Sequence, residues 1–162
     1  MSRVVIIMGS RSDLEWSEKI EAVLKKIGLD VIKRVASAHK TPERCLEIIK
    51  KYEEEGVVFI TVAGRSNALG GFVDAQTRCP VITCPPYSDR FAGTDIYSSL
   101  RMPSGVAPLV VLEPEGAALA AAKIMGIRDG EIKRAVEEYQ RKARERIMKD
   151  DLEVCGGECK GS

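Results

Sequence analysis

The sequence predicts a three-layer αβα domain: a flavodoxin-like (Rossmann-like) parallel sheet of five strands in the order 2-1-3-4-5, flanked by helices, with one extra C-terminal helix. Three observations predict it. Short apolar runs alternate with amphipathic stretches from the first residues onward, the usual sign of successive strand–helix–strand units. The runs Val4 to Met8 and Val57 to Ala63 are almost wholly apolar, as strands buried on both faces must be. Gly28 and Gly56 stand where the intervening helices should end.

Each element follows from its own residues. After the first strand, Trp16, Ile20, Val23, Leu24 and Ile27 fall at helical spacing. Val31 to Ala36 is the second strand, and Lys33 and Arg34 within it suit an edge position. Thr41-Pro42-Glu43 starts the next helix, with Thr as cap and Pro at the first helical position, running through Leu46, Ile49 and Tyr52. Val57 to Ala63 is the third strand. A Gly-interrupted, weakly helical segment from about Leu69 to Gln76 leads to a short fourth strand, Pro80 to Cys84, and Leu109 to Leu112 is the fifth. Glu113-Pro114 opens an Ala-rich helix through Ile124, whose small side chains allow close approach to a sheet or to another subunit. Ile132, Val136, Tyr139, Ala143 and Ile147 mark a last, densely charged helix with a narrow apolar stripe. Residues 1–150 read as one domain, and 151–162, ending in Cys155-Gly-Gly-Glu-Cys159-Lys-Gly-Ser, as a disordered tail with at most half of a metal site.

Composition narrows the function. With 162 residues and 44% apolar side chains, the chain can bury one core but hardly two. Lys and Arg number 25 against 24 Asp and Glu, so nothing favours a nucleic acid or an anionic membrane as partner. The apolar run near the N-terminus is too short for a signal-peptide core or a membrane span, and a soluble, cytoplasmic protein is expected. Five cysteines, three of them in apolar or helical segments, do not make a disulfide framework. His39 is the single histidine, which weighs against a typical zinc site; no metal and no organic cofactor is expected.

In an open parallel sheet, ligands bind beyond the carboxyl ends of the strands, near the point where strand order reverses. With the predicted order, three loops share that rim: Gly9-Ser10-Arg11-Ser12-Asp13, Ser37-Ala38-His39-Lys40-Thr41 and Gly64-Arg65-Ser66-Asn67. Hydroxyls, backbone N–H groups and Lys40 or Arg65 suit a phosphate, and Asp13 suits sugar hydroxyls. A sugar phosphate or mononucleotide fits best. The first loop has neither the Gly-x-Gly-x-x-Gly spacing nor a Gly-Lys-Ser/Thr ending, so NAD and ATP fit poorly. Taken singly, Ser12 and Asp13 read as helix caps, Gly9 and Gly64 as turn residues, and Lys40 and Arg65 as solvated charges. Their coincidence on one rim, beside the single histidine, favours function. Cys84 before Pro85-Pro86 reads as a buried strand-end thiol, since no neighbouring base activates it. The loop 85–94 is open to two readings, a lid or a subunit contact.

Four blocks carry a resemblance: Met8-Gly9-Ser10-Arg11-Ser12-Asp13, Ser37-Ala38-His39-Lys40-Thr41-Pro42, Ala63-Gly64-Arg65-Ser66-Asn67-Ala68-Leu69 and Ser98-Ser99-Leu100-Arg101-Met102-Pro103-Ser104-Gly105. In this order and over nearly the whole chain to about Asp150, they resemble the phosphoribosylaminoimidazole carboxylases of purine biosynthesis. The family has two classes. Class I enzymes are mutases that move a carboxylate from the carbamate nitrogen of N5-carboxyaminoimidazole ribonucleotide to ring carbon. Class II enzymes carboxylate 5-aminoimidazole ribonucleotide (AIR) directly with carbon dioxide, giving 4-carboxy-AIR without ATP or biotin. Class I carries a second histidine after the third strand, where this sequence reads Ser66-Asn67-Ala68-Leu69-Gly70-Gly71, so it is similar to class II. Pro80 to Pro86 also looks like the class II form fused to a synthetase in animals, and the carboxylase alone is expected here. The resemblance implies His39 as general acid/base, Ser10, Ser12, Asp13, Ser37 and Lys40 on the ribonucleotide, and Gly64, Arg65 and Ser66 completing the pocket. It also implies a homo-octamer. The class I mutase and a non-catalytic mononucleotide sensor are the alternatives; a phosphoacceptor signalling domain lacks its paired acidic residues after the first strand.

Overall fold

The computed structural model describes residues 2–156. Strands β1 (Arg3–Met8), β2 (Asp30–Val35), β3 (Val58–Val62), β4 (Val81–Thr83) and β5 (Leu109–Val110) form one sheet in the order β2-β1-β3-β4-β5. All neighbours are parallel, with Val4 opposite Val31 on one side and Val58 on the other. The predicted fold and strand order stand. Order reverses between β1 and β3, so the loops after these two strands and after β2 crowd the same rim.

Among the described residues there are six α-helices: α1 (Leu14–Ile27), α2 (Pro42–Tyr52), α3 (Ala68–Ala75), α4 (Tyr97–Leu100), α5 (Pro114–Gly126) and α6 (Gly130–Val154). Alternate residues of the central strands feed two cores. Val4, Ile6, Met8, Val58, Ile60 and Val62 pack with α1, α5 and the start of α6. Val5, Ile7 and Phe59 pack with Cys45, Ile48, Ile49 and Tyr52 of α2 and Val73 of α3. Ala117, Ala118, Ala121 and Ala122 are fully buried, so the small side chains of α5 bring that helix onto the sheet.

The ends of elements have local causes. Gly28 closes α1 at φ 92°, a left-handed value that costs glycine little. Pro85 and Pro86 follow Cys84 and lack an N–H, so β4 stops early. The expected fifth strand, 109–112, is then only Leu109–Val110, extended by a bond from Val111 N–H to the Thr83 carbonyl at 3.0 Å.

Two further segments differ from expectation. Arg90–Ile96 forms 3-10 turns, with Phe91, Ala92 and Gly93 all at positive φ, and leads directly into α4. The charged helix α6 passes the expected boundary at 150 and reaches Val154. Its apolar stripe buries only Ile132 and Val136, whereas Ile147 is 66% exposed. Ion pairs one turn apart, Glu138 with Lys142, Arg141 with Glu145 and Lys149 with Glu153, support the exposed half. Thus 151–154 are helical; Cys159 and the rest of the expected tail, 157–162, lie outside the described residues.

Candidate active site

Three strand ends build the site. Gly9 follows β1, and its N–H donates to the Val62 carbonyl at 2.9 Å, tying the first loop to the end of β3. A Cβ at Gly9 would stand 3.1 Å from that of Ala63, close enough that Ala63 would have to shift to admit it. The next residues fold back at once. Ser10 N–H donates to Asp13 Oδ2 at 3.0 Å, and the Ser10 and Ser12 hydroxyls lie 2.5 Å apart. Asp13 is 9% exposed. Burial raises its carboxyl above the ordinary range, and the Ser10 bonds only partly offset this.

The second loop is a tight turn held by its own side chains. Thr41 N–H donates to the Ser37 carbonyl at 2.9 Å, Ser37 N–H to Thr41 Oγ1 at 2.9 Å, and Lys40 N–H to Ser37 Oγ at 3.2 Å. Thr41 therefore fastens the turn just before Pro42 starts α2. His39 and Lys40 are left exposed at the tip.

The third loop turns sharply after β3. Arg65 has φ 58°, in the left-handed region that side chains other than glycine rarely occupy. Asn67, 2% exposed, anchors the loop from below. Its Nδ2 donates to Thr83 Oγ1 at 2.7 Å and to Ser99 Oγ at 2.9 Å, and its N–H donates to Ser98 Oγ at 3.0 Å.

These loops enclose a cleft of about 450 Å³. Every residue singled out from the sequence lines it: Ser10, Ser12, Asp13, Ser37, His39, Lys40, Gly64, Arg65 and Ser66. Sequence reasoning missed the apolar lining supplied by Ala63 and Leu69, although both belonged to the third block. A second cavity of about 240 Å³ shares Gly64 and Arg65 with the first and is walled by Pro85, Pro86, Tyr87, Ile96 and Leu112. Cys84 is fully buried, and burial pushes its thiol up to about 11, in keeping with a structural cysteine. Among the described residues, no group of three or more His, Cys, Asp or Glu could hold a metal ion.

Fold and site together define an α/β protein with a polar cleft at the topological switch point, one histidine and two cations at its mouth. A family model described as AIR carboxylase matches residues 3–146. A phosphoribosylaminoimidazole carboxylase of Archaeoglobus fulgidus is 60% identical over 152 residues, covering 94% of this chain and 84% of that one. One from Treponema denticola is 50% identical, covering 93% and 96%. The bifunctional carboxylase/succinocarboxamide synthetase of Homo sapiens is 47% identical over 127 residues, 77% of this chain but 30% of that protein. The crystal structure of Treponema denticola PurE superposes with a TM-score of 0.93 at 48% identity, covering 95% of this chain and 99% of the other. The chain belongs to the AIR carboxylase family.

Proposed function

We propose that the chain carboxylates AIR with carbon dioxide in purine biosynthesis, directly and without ATP or biotin. The observation that carries this reading is the convergence of nine residues from three loops on one cleft with His39, the sequence's single histidine, among them. The family's carboxylases supply the reaction class; the cleft supplies groups suited to it.

The residues divide by chemistry. Lys40 holds the phosphate as a point charge, with the hydroxyls of Ser10, Ser12 and Ser37 around it. Asp13, fixed through Oδ2 by the Ser10 N–H, accepts ribose hydroxyls. The ring carbon of aminoimidazole is electron-rich and attacks carbon dioxide, forming the carbon–carbon bond while one C=O pair becomes carboxylate. The ring carbon then carries both carboxylate and hydrogen. Neutral His39 takes that proton, and the C–H electron pair restores the aromatic ring. In reverse, imidazolium returns the proton and carbon dioxide leaves. Arg65 and the N–H groups of the Gly64–Ser66 turn stabilise the carboxylate. The class I mutase has no support here beyond family membership, since no second histidine reaches the cleft.

The same reading includes a cytoplasmic homo-octamer. Its support is exposed apolar side chains: Tyr97 and Leu100 of α4, Leu109 of β5 and Leu112 are between 39% and 64% exposed. No described helix is long and apolar enough to cross a membrane.

Replacement of His39 tests the mechanism. His39→Asn is expected to bind ribonucleotide by calorimetry with near-parental affinity while kcat falls about 10²–10⁴-fold, the usual contribution of a general acid/base. Turnover near that of the parent would remove His39 from the reaction.

A further inference from the structure

We propose that Asn67 is a positioning residue for this site, holding the Gly64–Ser66 turn in the backbone shape that presents Arg65 and the Ser66 N–H to the substrate. The inference rests on the carboxylation reading given above. Asn67 does not line the substrate cleft. It acts through the turn.

The turn needs holding because Arg65 sits at φ 58°, and a side-chain-bearing residue keeps such a conformation only where its surroundings impose it. The surroundings here are polar and specific. The buried Asn67 amide donates to Thr83 at the end of β4 and to Ser99 in α4, at 2.7 and 2.9 Å. Its main-chain N–H donates to Ser98 Oγ at 3.0 Å, and that oxygen also lies 3.2 Å from the Arg65 carbonyl and 2.7 Å from the Asp95 carbonyl. The single Ser98 proton serves one of these two carbonyls, so Ser98 links both sides of Ser66 or joins the turn to the segment before α4. The arrangement has a cost. Asn67 Oδ1 is buried with no hydrogen-bond donor among the described residues, a price a residue chosen for packing alone would avoid.

Thr83 and Ser99 also lie in elements with other duties. Thr83 pairs with Val110 in the sheet and presses against Gly70, where a Cβ would come within 3.0 Å of its side chain. The Asn67 clamp therefore ties the turn to the end of β4.

The test compares Ser98→Ala, Ser98→Thr and Asn67→Ala with the parent in carboxylation assays and thermal melts. Ser98 is exposed, so its variants keep the test decisive if Asn67→Ala does not fold. Ser98→Ala is expected to lower kcat/KM about tenfold with little change in melting temperature, and Ser98→Thr, which keeps the hydroxyl, to return it to within about twofold of the parent. A kcat/KM within about twofold of the parent in Ser98→Ala, or equal losses in Ser98→Ala and Ser98→Thr, would overturn the clamp. A parent protein that binds ribonucleotide without carboxylating it would overturn the reaction instead, and the same variants would then be compared by ribonucleotide affinity.

Discussion

At the scale of single residues, the rim groups were legible because they are chemical types placed by a topological rule, and their environments were not. Asp13 is the clearest case. Its position after β1 marks it as a cap or a ligand for sugar hydroxyls, and the fold makes it both a partner of Ser10 N–H and a buried carboxyl with a raised pKa. A carboxyl raised in the folded state binds its proton more tightly there than when unfolded, so stability falls as pH rises through the window between the two values. The cost is therefore greater at pH 7 than near pH 3. Asn at this position keeps an acceptor for Ser10 N–H without the charge. Asp13→Asn is therefore expected to melt at or above the parent at pH 7, to lose that advantage near pH 3, and to bind ribonucleotide more weakly. Melting curves at the two pH values check it; a variant that melts well below the parent at pH 7 would contradict the assigned cause. Asn67 and the left-handed Arg65 were illegible for a different reason, since the amide's partners lie 16 and 32 residues away and no residue type announces a positive φ outside glycine.

At the scale of elements, periodicity identified the long helices and the buried central strands, where apolar spacing is set by the core. It failed where other constraints set the boundary. The fifth strand is shortened by the prolines after β4, its one neighbour in the sheet among the described residues, and nothing in its own residues signals this. Helix α6 outruns its apolar stripe because charge pairs, and not burial, support its last turns. The loop expected at 85–94 contains 3-10 turns leading into α4, whose Tyr97 and Leu100 stand exposed. The proposed octamer gives these apolar side chains a partner surface. Sedimentation equilibrium is expected to return a mass near eight chains, and Leu100→Asp to lower it; a monomeric mass for the parent at micromolar concentration would contradict the proposal.

At the scale of the whole molecule, the residues proposed to act gather at the switch point of a parallel sheet. The balanced total charge conceals Lys40 and Arg65 at one cleft, and the histidine count gains meaning only in the fold, which sets His39 at that cleft's mouth. The central claim is direct carboxylation by this arrangement. Its most direct test supplies purified protein with AIR and labelled carbon dioxide, without ATP, beside a parallel reaction supplied with the N5-carbamate isomer. The account predicts labelled 4-carboxy-AIR from the first mixture. No product from AIR and carbon dioxide, with conversion of the carbamate in the second, would contradict it.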